Sequence, residues 1–598
     1  MGGFRVTRRR SGRRVVLFGI LLALALLLAP ASLGAAFDRV IVNSGDWHDV
    51  YSGMLYASLE GVPSNFLVST KHGAILPYSI PTTEDDQFVV TGRAKPYVVG
   101  YAGYLQTKGY ANARELLTRN ANFDLAELLT NVTQFIIIDP AYGYNAISVA
   151  PYAAVSKQYV LFADRRNIDD IVSFLADRDP TAVIIFGQVD REVKERLARF
   201  NPEMINKGDR FTNNMVMVDR YLAIKPTKQV VLTNGEFLEA GLVSGSDPVL
   251  FIGRANVPES IRGYIQKSDF EVGILIGNEL IGTATFIRRQ LGISVFVKFA
   301  QGARVPTGTI AQVEDLDRFP MPRYDLQLEY ASIVYNRATR SLEVTYHNPT
   351  GMAEYFSSTI TITLPDGTMI VVGDNEPWFL DKGEYKTIVY TTDTNGEAIL
   401  LDDADGELTA KIFTTFGEGP KSLENAIEAT LRISFVDIKD EALINITRLW
   451  YDKNRQAFIV TIENTGGVDA YVMPEMIDLS VNDELLTVAA EETVLLKKGG
   501  SARIPIPIEM AEADFQANPQ LRVRAYYGER ELSLIKVTEK SFALEFGGGA
   551  WGTYVLYGAI VLVLLLILFF LGTKKKCKHC GHENARGRKY CEKCKNEL

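Results

Sequence analysis

The chain has 598 residues, 47% of them apolar and 23% charged, with a net charge of −9 and four cysteines, all within the last 22 positions. This allows about three to five domains with ordinary cores and excludes disordered, collagen-like and disulfide-scaffold classes. Residues 1–36 and 574–598 each carry +6, so the overall −9 leaves −21 for the stretch between them, which disfavours binding to nucleic acid or anionic lipid there.

At the N-terminus, Arg13-Arg14 precede fifteen apolar or small residues, Val15 to Ala29, closed by Pro30. As a helix this run spans about 22 Å, short of a hydrocarbon core of about 30 Å. Ala31, Ser32, Gly34, Ala35 and Ala36 follow, the small residues a signal peptidase requires. Residues 1–36 therefore read as a signal peptide, in preference to an uncleaved anchor.

From Phe37 to about residue 300, β-branched runs alternate with helical stretches, the pattern of parallel α/β units. A first strand recurs at Val40-Ile41-Val42, Phe135-Ile136-Ile137-Ile138 and Val230-Val231-Leu232. A second recurs at Phe66-Leu67-Val68, Tyr159-Val160-Leu161-Phe162 and Val249-Leu250-Phe251-Ile252. A third, closed by glycine, recurs at Val98-Val99-Gly100, Val183-Ile184-Ile185-Phe186-Gly187 and Ile274-Leu275-Ile276-Gly277. This is triplication, with units at 37–130, 131–226 and 227–320. Short links, about Gly109 to Asn131 and Phe200 to Thr227, predict one pseudo-threefold body instead of beads. Asp49, Asn145 and Glu239 each fall at the start of the helix after a first strand. That point lies at the carboxyl end of a parallel strand, where ligands of open sheets bind, and makes these three the candidate ligand residues. The alternative is that they serve only as helix caps and first-turn acids.

The order and spacing of these pieces resemble the cell-wall-binding repeat type 2 family. The closest matches are Asn145-Ala146-Ile147 with Ala150-Pro151, Asn256-Val257-Pro258, and Lys207-Gly208-Asp209-Arg210-Phe211. The family's Asp is replaced by Asn145 in unit two and Glu239 in unit three. The resemblance implies compact Rossmann-like units that associate in threes and hold proteins to anionic envelope polymers.

From about Tyr324 the pattern changes to alternating strands with turn residues, as in β-sandwiches. Ser341 to Gly351 matches Ala457 to Gly467, and Leu380-Asp381-Lys382-Gly383 matches Leu496-Lys497-Lys498-Gly499, both at an offset of 116. Two immunoglobulin-like domains are predicted, 323–437 and 438–546. Their strands and turns resemble CARDB-type adhesion-related domains, which implies a spacer or stalk.

Trp551 to Leu571 is a run of 21 uncharged residues, about 31 Å long as a helix and sufficient to cross a bilayer. Trp551, Tyr554 and Tyr557 suit one interface, and Lys574-Lys575-Lys576 place the C-terminus inside. The tail, 574–598, carries Cys577-Lys578-His579-Cys580 and Cys591-Glu592-Lys593-Cys594. Tandem C-x-x-C pairs suit one structural Zn2+ ion, with Cys577, Cys580, Cys591 and Cys594 as ligands. A redox dithiol is the alternative. Gly581 fits the turn after the first knuckle, and Tyr590 is expected to pack under the site. The tail resembles short zinc ribbons of prokaryotic membrane proteins.

No P-loop, dinucleotide fingerprint, H-E-x-x-H or G-x-S-x-G motif occurs. No catalytic residue is assigned, and the chain is not read as an enzyme. The fold expectation is multidomain α/β plus all-β: three Rossmann-like repeats, two sandwiches, one transmembrane helix and a zinc ribbon. The functional expectation is a single-pass plasma-membrane protein with its large domains outside and its ribbon in the cytoplasm. Its repeats would bind an envelope polysaccharide or surface protein, with no nucleic-acid partner. Two alternatives stay open: a scaffold or receptor whose ribbon recruits a cytoplasmic protein, and an exported hydrolase using Asp46-Trp47-His48-Asp49.

Overall fold

The computed structural model describes residues 37–276, 280–298, 318–401, 407–482, 484–544, 546–547, 561–565 and 574–598. Residues 1–36, expected as a signal peptide, and the apolar run 551–571 apart from 561–565, lie outside the described residues. Among the described residues no helix is long and apolar enough to cross a membrane.

The N-terminal half contains three four-stranded parallel sheets, each with its strands in the spatial order 2-1-3-4. The first uses Arg39–Asn43, Ser64–Phe66, Gln87–Gly92 and Arg114–Thr118. The second uses Gln134–Ile138, Tyr159–Phe162, Ala182–Phe186 and Glu203–Ile205. The third uses Gln229–Thr233, Val249–Phe251, Val272–Ile276 and Ser294–Lys298. The central strands are almost wholly buried, as a parallel sheet between helices requires.

Two sequence expectations change here. In the first unit the third strand is Gln87–Gly92, and Val98-Val99-Gly100 is a loop. Asn43 explains this: its amide donates to the Val98 carbonyl at 2.6 Å and accepts from the Val98 N–H at 3.1 Å, leaving Val99 90% exposed. The stretches expected as links each hold a fourth strand and a closing helix, Ala121–Leu128 and Arg210–Ile224.

The closing helices stitch the units together. Asn122 donates to Ser52 Oγ (3.0 Å) and the Val160 carbonyl (2.8 Å) and accepts from the Phe162 N–H (3.1 Å). Asn214 repeats this with Ser148 Oγ (3.0 Å), the Val249 carbonyl (3.0 Å) and the Phe251 N–H (2.8 Å). Each amide thus ties its own unit's first helix to the second strand of the next unit. The three first helices, Trp47–Glu60, Gly143–Ser156 and Ala240–Val243, pack against one another pairwise. One apolar cluster runs through all three units, from Phe37 to Met321.

The C-terminal half holds two pairs of mostly antiparallel sheets, each pair closed over its own core. The sheet order repeats, with Glu354–Thr363 and Thr409–Gly417 corresponding to Ala470–Val481 and Gln520–Gly528. Asn348 donates to the carbonyls of Met352 (2.7 Å) and Leu380 (3.4 Å). Asn464 does the same to Val468 (2.8 Å) and Leu496 (3.0 Å). Gly383 and Gly499 share φ of 69° and 67°, the left-handed turn that selects glycine. The 116-residue period therefore has a physical basis in two turn types.

Both sandwiches lie against the α/β half, so they are not a free-standing stalk. Arg210 is held by Glu424 at 3.2 Å, by Glu418 at 3.6 Å and by the Tyr324 hydroxyl. The N–H groups of Ala255 and Asn256 donate to the Glu424 carbonyl at 3.3 and 3.0 Å. The second sandwich meets the second unit through Arg191–Asp514 (2.5 Å) and Lys194 to the Asn482 carbonyl (3.0 Å). Between the sandwiches, Arg530 and Ser533 bind Glu343 at 2.5 and 3.0 Å.

Candidate functional site

The four cysteines come together. Each sulfur lies within 4.8 Å of the others, and the closest pairs, Cys577–Cys594 and Cys580–Cys591, are 3.5 Å apart. A tetrahedral ion with thiolate bonds of about 2.3 Å needs sulfurs about 3.8 Å apart, so the cluster can hold a metal ion. The local sequence builds it from two like turns. Gly581 donates to the Cys577 carbonyl and Lys595 to the Cys591 carbonyl, both at 2.9 Å. Both residues take positive φ, 70° and 58°, so Gly581 occupies the position where glycine relieves strain.

The electrostatics favour thiolates at the first cysteine of each knuckle. Burial raises the Cys591 thiol, but the N–H groups of Cys594 and Lys593 and the Asn584 amide outweigh it and bring it down to about 6. Burial also raises Cys577, and the N–H groups of Cys580 and His579 hold it below the usual thiol range. At Cys594 the Asn596 N–H lowers the thiol, while Cys580, burial and the other two sulfurs carry it up to about 12. A bound cation would remove that proton, since metal and proton compete for the same sulfur lone pair.

The sequence reading missed Asn584. Its amide is 1% exposed, reaches Cys591 Sγ at 3.5 Å, and accepts from the Glu592 N–H at 2.9 Å. It orients a sulfur without ligating. The only sequence signal for it is a polar residue in the short strand Glu583–Ala585, between the two knuckles. Tyr590, expected under the site, is instead 60% exposed, because its backbone bridges to Glu597 and turns the ring outward.

Of the three predicted ligand residues, Asp49 and Glu239 are buried and Asn145 is half-buried. Asp49 is the third residue of its helix and is 9% exposed. It accepts from Ser44 Oγ at 2.7 Å and from the Ala121 N–H at 3.3 Å, at the start of the closing helix. Burial pushes its carboxyl above the ordinary value. Asn145 is likewise third in its helix and lies against Gly187, where an added Cβ would come within 2.7 Å of its amide. Gly92 has the same relation to Asp49, at 2.3 Å. Glu239 differs: it precedes a four-residue helix instead of lying inside its first turn, and it is 5% exposed.

The Asp46-His48 pair is also occupied. Asp46 caps its helix by accepting from the His48 N–H at 3.0 Å, and it meets His48 Nδ1 at 2.7 Å. Its bond to His48 holds the Asp46 carboxyl below the usual range. His48 Nε2 lies 3.0 Å from the Pro140 carbonyl in the next unit. Both ring nitrogens therefore face acceptors within the fold, a bridge between units one and two.

No family model and no curated protein matches the chain. The cell-wall-binding and CARDB resemblances rest on the residues quoted for them. Among solved structures, the chain is similar to red sea bream transglutaminase at 8% identity, over 37% of this chain and 31% of that one, with a TM-score of 0.13. It is similar to the class 5 fimbriae chaperone CfaA at 12% identity, over 36% of this chain and 98% of that one, TM-score 0.13. Escherichia coli alpha-2-macroglobulin matches at 10% identity, over 38% of this chain and 23% of that one, TM-score 0.13. Likeness of this degree carries no argument about activity or partners.

Proposed function

We propose that the chain is a single-pass plasma-membrane protein whose triplicated, Rossmann-like body faces outward and binds an envelope polysaccharide or surface protein. The immunoglobulin-like sandwiches brace that body, and the cytoplasmic ribbon holds one structural Zn2+ ion. The observation supporting this reading is the interlocked body itself. A platform already fixed by amide bridges and pairwise helix packing loses little freedom when a large ligand settles on it. Protease treatment of intact cells, followed by detection of both ends, tests the topology. The exterior should be removed and the ribbon protected; a fully protected chain overturns the reading. Co-sedimentation of the exterior region with purified envelope polymer tests the binding, and its absence removes the polymer from the proposal.

For the ribbon we expect one zinc per chain. Cys580→Ser should release the metal and unfold residues 574–598, which are too few to fold without it, while the exterior domains keep their melting temperature. Elemental analysis that finds no zinc, or zinc retained after all four cysteines are changed, would overturn this. The exposed Tyr590 ring favours a second reading, in which the ribbon recruits a cytoplasmic protein. Photo-crosslinking from position 590 tests it.

A further inference from the structure

A polar cavity of about 280 Å³ lies where the third α/β unit, the connector after it and the first sandwich meet. It opens at the carboxyl end of the third sheet. Asn234 directly follows the first strand, Gln229–Thr233, and Arg254 follows the second, Val249–Phe251. Open parallel sheets bind ligands at that end because strand crossovers leave a crevice there. Arg210 and Arg323 enter from the closing helix and the connector, and Glu424 comes from the sandwich.

Several hydrogen-bonding groups of this cavity are unmatched. Its carboxylates lie against guanidinium groups: Glu236 accepts from Arg254 at 2.9 Å and Arg323 at 2.7 Å, Asp325 meets Arg323 at 3.2 Å, and Glu424 meets Arg210 at 3.2 Å through Oε1 while its buried Oε2 lacks a partner among the described residues. Two donors are unmatched as well. Asn234 is 5% exposed, and its Oδ1 accepts from the Glu236 N–H at 3.2 Å, which fixes the amide orientation. Its Nδ2 then has no partner among the described residues, and neither does Arg210 Nε. A buried N–H without an acceptor is destabilising, so a group that supplies one is favoured there. Burial also pushes Glu424 up to about 8, so near neutral pH its partnerless oxygen carries a proton and becomes a further donor, and the three lining guanidinium groups face the two carboxylates of Glu236 and Asp325.

We infer that this cavity binds a small soluble oxyanion, a carboxylate or a phosphate, and that the bound anion ties the first sandwich to the α/β body. Guanidinium forks match the planar, paired oxygens of both groups. The volume suits a ligand smaller than the drug-sized molecules that fill sites of about 300–1,000 Å³. The site shares no residue with Asp49, Asn145 or Glu239 and does not depend on the polymer reading.

The test uses the purified full-length chain in detergent. Succinate, inorganic phosphate and, as an uncharged control, erythritol are titrated by calorimetry, with limited proteolysis of the sandwich junction as a second readout. Succinate or phosphate should bind once per chain and slow cleavage, and whichever binds names the source. Arg323→Gln should weaken binding at least tenfold. Arg254→Gln should do likewise, and its 45% exposed side chain makes it a safe second variant for folding. Exposed Arg199→Gln should leave binding unchanged. The proposal is overturned if neither anion binds at millimolar concentration, or if erythritol binds equally well. It is also overturned if both cavity variants keep the original affinity, which would mean an adventitious ion only.

Discussion

The two halves of the molecule are both built by repetition, yet they hold their copies together with different chemistry. The α/β units are joined by neutral amides, Asn122 and Asn214, whose partners are backbone groups and serine hydroxyls, within one continuous apolar core. The sandwiches have separate cores and meet through buried charge. Lys386, with a 2% exposed side chain, donates to the Phe379 carbonyl at 2.6 Å and lies 3.1 Å from Glu384 and 3.8 Å from Glu475 on the other sandwich. Burial pushes Glu384 up to about 7. Amides do not titrate, whereas buried carboxylates do. The two amide joints therefore do not respond to pH, and the sandwich contacts do.

The largest effect should come from Lys386→Met. It leaves Glu384 and Glu475 buried without their shared cation, which costs about 4 kcal/mol and should separate the sandwiches' unfolding from one another. A single coincident transition with an unchanged urea midpoint would show that the charges are dispensable.

Next in size, Asn122→Ala and Asn214→Ala should each cost about 2 kcal/mol, because a strand carbonyl and N–H lose their partner in a dry interface. The two values should agree, since the bonding is the same at both joints. Hydrogen exchange at Phe162 and Phe251 reports each joint separately, and protection unaffected by either substitution would remove the amides as stitches.

Smallest per pH unit, though it accumulates over several, is the effect of Glu354, which is fully buried, with both carboxylate oxygens lacking a partner among the described residues. Burial, reinforced by Glu424, pushes it from 4.5 to about 9. A raised carboxyl contributes its full stability below about 4.5 and loses it as pH climbs to about 9. Stability of the first sandwich should fall across that window by up to about 1.4 kcal/mol per pH unit for this one proton. Glu354→Gln should flatten that limb, and urea midpoints from pH 5 to pH 9 give the slopes directly. Equal slopes in both proteins would place the proton elsewhere.

The contrast also governs what could be read from sequence. The sandwich period was legible because Asn-led turns and Lys-Gly turns impose fixed chemistry at Asn348, Asn464, Gly383 and Gly499. The cysteine cluster was legible for the same reason. The fourth strands were not, because Arg114–Thr118 and Glu203–Ile205 are partly exposed edge strands without an apolar run. The third strand of unit one was misplaced because Val98-Val99-Gly100 has the composition of a strand, and the Asn43 amide that holds it as a loop lies 55 residues away in sequence. Asn122 and Asn214 gave a faint signal, a polar residue recurring on the apolar side of two helices. The junction cavity gave none, since its walls come from distant segments.

Closure of the three first helices on one another has a consequence for how such a chain can change through duplication. A solenoid gains or loses a module at modest cost, because each module touches only its neighbours. Here every first helix already touches both others, so a fourth copy would find no vacant flank, and a missing copy would strip two interfaces at once. Copy number in the α/β half is locked at three by geometry. Variation is left to the surfaces of the units and to the modules strung after them.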